Sequence, residues 1–213
     1  MSKFLILDLP KWSNTQHLFY AGVGSRNTPI HIQIIMNQIS EWLEKKKGYT
    51  LRSGGALGAD KAFEGLIQPW EKDSNKTVTR WSEYKYKVIK KEIFYAKDID
   101  KDTEFSKMCK RVAKEIHPNP NLNGYPLKLH ARNLFQVLGA DLNSPVDFLI
   151  CWTPRNKKGE VVTSHEQRDS TSGGTGQAIS YASYLGIPII NLESENWRDE
   201  LSGVLKSLKK TNI

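Results

Sequence analysis

Two hydrophobic patterns alternate along this chain, and each indicates a different element of secondary structure. Short, nearly continuous apolar runs are typical of buried strands, whereas apolar residues spaced three and four apart are typical of one helix face. The runs predict strands at residues 18–23, 49–51, within 88–95, 146–152 and 187–192. The helical spacing predicts helices between Pro29 and Gly48 and at residues 59–67, 102–116, 127–138, 178–185 and 197–208.

The alternation of strand and helix determines the predicted architecture. Successive strands joined by helices form a parallel sheet, because each crossover returns the chain to the same end of the sheet. We therefore predict an α/β protein with a Rossmann-like, doubly wound, mainly parallel sheet and helices on both faces, built as a single domain over residues 1–213. Residues 69–87 and 119–126 are predicted to be irregular, and a polar insert at about residues 153–172 is placed to overhang a ligand.

Composition narrows the class of protein. The chain has 213 residues, of which 38% are hydrophobic and 25% are charged. No apolar run approaches the roughly 18 residues of a membrane span, and the run at residues 4–7 is too short for a signal peptide. We therefore expect a cytoplasmic protein with no membrane partner. Cys109 and Cys151 have no motif spacing and are expected to be reduced thiols, with a disulfide as the less favoured alternative.

A net charge of +8 adds one possible partner. Such an excess of positive charge suits a polyanion such as nucleic acid. The lysines, however, are dispersed beside acids, as in the run from Lys97 to Lys101, and this is equally typical of a solvated surface. Both interpretations stay open, and we expect only weak nucleic-acid binding.

Three glycine-containing turns stand between predicted strands and helices. They are Gly24-Ser25-Arg26, Gly54-Gly55-Ala56 and Gly173-Gly174-Thr175. A helix N-terminus presents unpaired N–H groups and the positive end of the helix dipole to an anion, and glycine allows that anion to come close. Ligands of doubly wound sheets bind at the carboxyl ends of the strands, where all three turns are expected. The turns therefore predict a site for a nucleotide or another phosphate-bearing ligand, although none completes a P-loop or dinucleotide motif.

Polar side chains near these turns are candidate ligand contacts. Arg26 is either a bidentate phosphate donor or a surface arginine. Asp60, in the first turn of its predicted helix, either accepts from a ribose hydroxyl or complements the helix dipole. Thr175 either binds phosphate or caps its helix. Arg132 and Asn133 lie off the apolar face of their helix, which leaves them free to point at a ligand or at solvent.

The predicted ligand-binding set gathers these turns and side chains at one edge of the sheet. It comprises Gly24, Ser25, Arg26, Gly54, Gly55, Ala56, Asp60, Arg132, Asn133, Gly173, Gly174 and Thr175. His117 and His165 have no partners at metal-ligand spacing, so no metal site is predicted. No pattern identifies a catalytic residue, no cofactor is predicted, and a homo-oligomer is expected.

Longer stretches around the same turns resemble a known superfamily. The segments 20–29 and 52–64 are similar to the SLOG superfamily, which includes the DNA-processing protein DprA, the YpsA-like proteins and the cytokinin-activating phosphoribohydrolases. Further segments look like the compact DprA-like proteins common in bacteriophage genomes, namely residues 131–133, 136–139, 145–147, 151–154, 173–179, 186–188 and 191–192. The resemblance covers nearly the whole chain, from about residue 18 to residue 192.

The resemblance implies a Rossmann-like fold and a nucleotide or nucleotide-derived ligand, in DNA processing or in phage capture of a nucleotide signal. The phosphoribohydrolases carry a glutamate shortly after a Gly-Gly-x-Gly-Thr turn, whereas residues 177–180 after Gly176 include no acid. This difference favours a binding protein. The alternative is a nucleoside-phosphate N-glycosidase in which Asp60, Glu64 or Glu166 replaces the missing carboxylate.

Overall fold

The computed structural model describes residues 18–68, 71–73, 76–78, 82–101, 103–119 and 121–210. The expectations for residues 4–7, 69–70, 74–75, 79–81, 102 and 120 lie outside the described part. The strands are β1 (Phe19–Gly24), β2 (Thr50–Ser53), β3 (Leu66–Ile67), β4 (Glu71–Asp73), β5 (Lys76–Val78), β6 (Glu83–Tyr84), β7 (Lys91–Ile93), β8 (Phe148–Trp152) and β9 (Ile189–Asn191). The helices are α1 (Ile30–Trp42), α2 (Ala59–Glu64), α3 (Glu104–Ile116), α4 (Gly124–Leu138), α5 (Thr175–Tyr184) and α6 (Trp197–Lys210).

Five strands form one parallel sheet in the order β7-β2-β1-β8-β9. From β1 the chain moves outward to β7 and then returns to β8 on the other side of β1, so the strand order reverses between β1 and β8. Helices α1, α2 and α6 cover one face of the sheet, and α3, α4 and α5 cover the other. The predicted Rossmann-like, doubly wound α/β fold is confirmed.

The central strand β1 contributes to both hydrophobic cores because its side chains alternate between the two faces. Tyr20 is buried on the face of α1, α2 and α6, whereas Ala21 and Val23 are buried on the opposite face. Tyr20 stacks on Phe148 with the ring centroids 5.9 Å apart, and its hydroxyl donates to the Ser40 hydroxyl at 2.9 Å. Burial therefore leaves the one polar atom of this ring paired, as a closely packed core requires.

The predicted helix at residues 59–67 is wrong over its last three positions. Helix α2 ends at Glu64 because Gly65 adopts a left-handed conformation with φ of 112°. A Cβ at Gly65 would lie 2.1 Å from the carbonyl oxygen of Tyr86, so this close approach requires glycine. The chain continues as β3, which pairs antiparallel with β6, and β4 pairs with β5 in a second short ribbon. Strands β4, β5 and β6 fall in the segment 69–87 that the sequence predicts to be irregular, because strands this short and polar carry no clear alternation.

Two other helices begin earlier than the sequence predicts. Helix α4 begins at Gly124, inside the loop expected at residues 119–126, and α5 begins directly after Gly174. Between β8 and α5, the polar insert contains one 3₁₀ turn at Ser170–Ser172. Its position at the carboxyl end of β8 places it over the edge of the sheet where ligands of this fold bind.

The described part of the chain has no helix of the length and apolar character needed to cross a membrane. Cys109 and Cys151 are both free and fully buried, on the face of the sheet covered by α3, α4 and α5. Burial raises the pKa of both thiols because it disfavours the thiolate. Both cysteines are packing residues, and neither is part of a disulfide.

Candidate functional site

The carboxyl ends of β1, β2 and β8 lie side by side at one edge of the sheet, and each of the three glycine turns is found there. Gly24 ends β1 opposite Trp152 at the end of β8, which is where the strand order reverses. In doubly wound folds this crevice is the usual ligand site. The hydrogen bonds of each turn decide which of them presents free donors.

The first turn is occupied by contacts with α2. The Ser25 N–H donates to the carbonyl oxygen of Trp152 at 3.3 Å, and the Ser25 carbonyl accepts from the N–H of Ala59 at 3.2 Å. A Cβ on Gly24 would lie 2.5 Å from the Ala59 Cβ, so glycine is needed here for packing. The Ser25 carbonyl therefore caps the start of α2, and the Ser25 N–H is bonded to β8 instead of being offered to a phosphate. The Arg26 side chain is exposed at the edge.

The second turn is closed by its own side chains. The Gly55 N–H donates to the Ser53 hydroxyl at 3.3 Å, and the Ala56 N–H donates to Asp60 Oδ2 at 3.3 Å. Gly55 has φ of 66°, a backbone conformation that favours glycine. These two N–H groups, which the sequence assigned to phosphate, already have acceptors in the protein.

Arg132 of α4 connects its helix to the second turn. Its Nη1 lies 3.4 Å from Asp60 Oδ2 and 3.1 Å from the side-chain oxygen of Gln136. Both members of the Arg132–Asp60 ion pair are buried, and the guanidinium fills the space beside Gly54, where a Cβ would lie 1.0 Å from Nη1. Burial raises the pKa of Asp60, and the charge of Arg132 opposes that rise.

Asn133 connects the same helix to the third turn, since its side-chain N–H donates to the Gly174 carbonyl at 3.1 Å. Arg132 and Asn133 are thus consecutive residues that tie α4 to two turns at the edge. The sequence left both side chains free to point at a ligand or at solvent, and burial of both speaks against the solvent alternative, since each is hydrogen-bonded within the protein. Their positions fix the spacing between the second and third turns.

The third turn is the one that faces outward. Gly173 and Gly174 are exposed, and no atom outside the turn lies within 4 Å of the position where a Cβ would stand on either residue. The N–H groups of Thr175 and Gly176 belong to the first turn of α5, where an α-helix supplies no carbonyl acceptor. The positive end of the α5 dipole therefore lies at this edge, where Gly173 and Gly174 are exposed and Thr175 and Gly176 are buried.

The polar insert brings Arg168 beside this helix terminus. Arg168 Nη1 donates to the Gln177 side-chain oxygen at 2.8 Å and to the Ser180 hydroxyl at 3.3 Å. Its Nε lies 2.9 Å from the position that a Cβ on Gly176 would occupy. The insert is held by Asn156, which accepts and donates several hydrogen bonds inside it. It is thus a packed segment that fixes one cation next to α5.

Two histidines lie close to Arg168. The rings of His117 and His130 are 4.5 Å apart, between the end of α3 and the first half of α4. Burial lowers the pKa of His130 to about 4, and the positive charges of His117, Arg168 and Arg132 add to that shift. No sequence pattern identified Arg168 or His130 as a site residue. The one available signal was proximity in sequence, since Arg168 precedes the third turn and His130 precedes Arg132.

Some buried polar atoms near this edge have no hydrogen-bond partner within the described residues. They are Arg132 Nε, Gln136 Nε2 and the Ser172 hydroxyl, which stands next to the third turn. Leaving such a group unpaired costs about 1–3 kcal/mol, so each of these atoms needs a polar partner such as an ordered water. Tyr95 adds a half-exposed aromatic ring, whose Cε1 lies 2.8 Å from the position of a Cβ on Gly55.

The candidate carboxylates are already engaged in structural contacts. Glu64 is buried and accepts from the Ser53 hydroxyl at 3.1 Å and from Lys61 Nζ at 2.8 Å. Glu166 is exposed on the insert. Within the described ranges, no group of three or more His, Cys, Asp or Glu side chains could hold a metal ion. The edge is therefore rich in hydrogen-bond donors, and its two buried acids, Asp60 and Glu64, lie one turn apart on α2 and are each paired with a cation.

Comparison with protein-family models, with curated proteins and with solved structures finds no match for this chain.

Proposed function

We propose that this protein binds a nucleotide or nucleotide-derived ligand at the carboxyl edge of its sheet, with a phosphate on the N-terminus of α5. The observation that carries the proposal is the third turn, where Gly173 and Gly174 are exposed and unobstructed at the start of a ten-residue helix. Oriented N–H groups and the helix dipole favour an anion at such a position. Arg168 supports the same choice of ligand because it fixes a cation beside the first turn.

The remaining edge residues suit the other parts of a nucleotide. Tyr95 offers an exposed ring on which a base stacks. Asp60 stays our candidate acceptor for a ribose hydroxyl, through the carboxylate oxygen that does not contact Arg132. Arg132 adds positive charge and its unpaired Nε–H. Arg26 is exposed at the same edge and supplies a further guanidinium.

The resemblance to the SLOG superfamily supports this ligand class and suggests its setting. A DprA-like protein of phage type would act in DNA processing or in capturing nucleotide signals. Within the predicted site, the N–H groups of Ser25, Gly55 and Ala56 in the first two turns are bonded inside the protein. We therefore assign phosphate binding to the third turn and a supporting role to the other two.

A thermal-shift panel tests the ligand class. Phosphate-bearing nucleotides should raise the melting temperature, while the matching nucleosides should do so only weakly, because the donors at this edge address an anion. A ligand at a hundred times its dissociation constant stabilises by about 2.7 kcal/mol, which corresponds to a shift of about 5–10 °C for a chain of this size. A panel without any preference for phosphates would refute the proposal.

Gly174→Asp tests the turn itself. Gly174 has φ of −66° and ψ of −28° with open space around it, so an aspartate fits without distortion and brings a negative charge to the helix terminus. The variant should fold normally and lose nucleotide binding in calorimetry by at least about tenfold. Gly203→Asp is the matched control, since Gly203 is exposed on α6 with the same open surroundings. Equal affinity in both variants would assign the third turn a structural role only.

The alternative function, cleavage of a nucleoside-phosphate glycosidic bond, keeps one observation in its favour. Asp60 is a buried carboxyl at the edge whose pKa is raised by burial, a property shared by many catalytic acids. The contacts of Asp60 with Arg132 and with the Ala56 N–H favour a structural role for this carboxylate. Incubation with nucleoside monophosphates should therefore release no free base. Base release that is lost in Asp60→Asn or Glu64→Gln, and kept in Glu104→Gln, would establish the enzyme instead.

A further inference from the structure

A groove between α1 and α6 lies on the face of the sheet opposite α5, away from the proposed nucleotide site. It encloses about 550 Å³. Both helices contribute apolar side chains to its floor, which comprises Ile35, Ile39, Trp42, Trp197, Leu201 and Leu205. Trp42 is 40% exposed, and the adjoining Ile34 is 37% exposed. A concave apolar surface with an exposed tryptophan is more typical of a docking site than of a solvated helix face.

The rim of this groove is positively charged. Lys47, Arg198 and Lys206 line it, and its lining within the described chain includes no carboxylate. Two of these cations rest on aromatic rings, since Lys47 Nζ lies 5.0 Å from the centroid of Trp42 and the Arg198 guanidinium lies 4.3 Å from that of Trp197. Cation–π contacts of this kind hold the charges at the groove. A partner with carboxylates beside apolar side chains would complement both features.

We propose that this groove docks an acidic, amphipathic segment of a partner protein. The apolar side chains of the partner segment, at helical spacing, fill the floor of the groove. The aspartates and glutamates of the segment face the three rim cations. A second copy of this chain is less suited, because its net charge of +8 would meet a positive rim. Single-stranded nucleic acid is also less suited. The floor is largely aliphatic, whereas binding of single strands depends on aromatic rings on which successive bases stack.

A peptide-display selection tests the proposal because it samples peptide chemistry broadly and requires no named partner. A library of random 16-residue peptides is selected on the full chain and counter-selected on the double variant Arg198→Glu, Lys206→Glu. Both residues are exposed on α6, so the variant should keep its fold, which circular dichroism checks. Arg111→Glu, Lys114→Glu is the matched control, because it makes the same charge change at exposed positions of α3.

Enriched peptides should carry glutamate or aspartate around apolar residues at helical spacing. They should bind the control variant as they bind the native chain, and bind the groove variant and Trp42→Ala at least tenfold more weakly. Enrichment of neutral or basic peptides, or equal binding to both double variants, would overturn the proposal. Binding of oligo-dT that the groove variant alone loses would assign the groove to nucleic acid. A dimer in sedimentation that Trp42→Ala dissociates would assign it to a second copy. Either result would overturn the proposal as well.

Discussion

Among the single residues of the edge, Arg132 organises the candidate site more than any glycine does. Its guanidinium contacts Asp60 and Gln136 and occupies the space that Gly54 leaves beside β2. A buried charge that loses its partner is strongly destabilising, so the Arg132–Asp60 pair fixes the position of α4 relative to the second turn. Glycine is therefore required at position 54 because Arg132 occupies the space of a side chain. Close approach of a phosphate, which the sequence suggested, is not needed to explain this glycine.

Gly54→Ala should test this interpretation through stability alone. The new Cβ would overlap Arg132 Nη1, and displacing that group breaks the buried pair. Overpacking and loss of the pair together should lower the free energy of unfolding by about 3 kcal/mol or more in urea titration. Gly203→Ala serves as control, because alanine in an exposed helix should raise that free energy by about 0.5–1 kcal/mol. A Gly54→Ala variant as stable as the native chain would contradict the assigned role.

The sequence placed Asp60, Arg132 and the glycine turns at one edge of the sheet because strand order and helix connections follow from periodicity. It could not tell that Asp60 and Arg132 bond each other across 72 positions. That pairing depends on how α4 sits on the sheet, which no local pattern encodes. Arg168 was not predicted for the same reason. The insert has no helical or strand period from which the direction of the Arg168 side chain can be derived.

At the scale of elements, the three turns that look alike in sequence have different roles. The first two lead to α1 and to the short α2, and their amides and carbonyls bond within the protein. The third leads to α5 and stays open. Glycine content alone could not separate these roles, because glycine is required equally for tight packing and for ligand approach. Strands β3 to β6 were missed because pairs of two or three residues depend on tertiary contacts.

The end of α1 offers a second test at this scale. The helix continues into a π-helical turn at Leu43–Lys47, which aims Glu44 at the segment before β7. Glu44 accepts from the Lys90 N–H at 2.7 Å, the Tyr86 hydroxyl at 2.8 Å and the Ile89 N–H at 3.2 Å. Partial burial alone would raise the pKa of Glu44, but these hydrogen bonds outweigh it and lower the pKa.

Glu44→Ala should loosen the entry to β7. Loss of the carboxylate removes the acceptor for two backbone N–H groups, so hydrogen exchange at Ile89 and Lys90 should accelerate at least about tenfold. The free energy of unfolding should fall by about 1–2 kcal/mol. Glu41→Ala is the control, since Glu41 forms an exposed ion pair with Lys45 and should change stability by less than about 0.5 kcal/mol. Equal exchange rates in the two variants would remove Glu44 from this role.

At the scale of the whole molecule, three histidines make stability depend on pH. Burial lowers the pKa of His117, His130 and His165, and the charge of Arg168 lowers each of them further. A histidine with a depressed pKa in the folded state binds protons mainly when the chain unfolds. Stability should therefore be fully present above about pH 6.5 and be lost as pH falls toward 4.

His130→Asn should weaken this dependence. The shift of His130 from 6.5 to about 4 corresponds to about 3 kcal/mol, which solvent screening reduces to about 1–2 kcal/mol. Urea titrations at pH 7.5 and pH 4.5 should therefore show a smaller loss of stability in the variant than in the native chain. His31→Asn, at an exposed position on α1, should leave the loss unchanged. An identical loss in the native chain and in His130→Asn would show that His130 does not couple to folding.

The net charge of +8 is also a property of the whole molecule, and it predicts the affinity of the protein for DNA. Because the lysines are dispersed among acids, we expect single-stranded DNA to bind with a dissociation constant above about 1 μM at physiological salt, without sequence preference. Affinity should fall steeply with salt, since each neutralised phosphate releases counterions. Gly174→Asp changes one charge among many, so it should leave DNA affinity within about twofold while weakening nucleotide binding at least about tenfold. Fluorescence anisotropy measures both. Sub-micromolar DNA binding that survives about 200 mM salt and is lost in Gly174→Asp would instead place DNA phosphates on the N-terminus of α5 and make nucleic acid the ligand of the edge site.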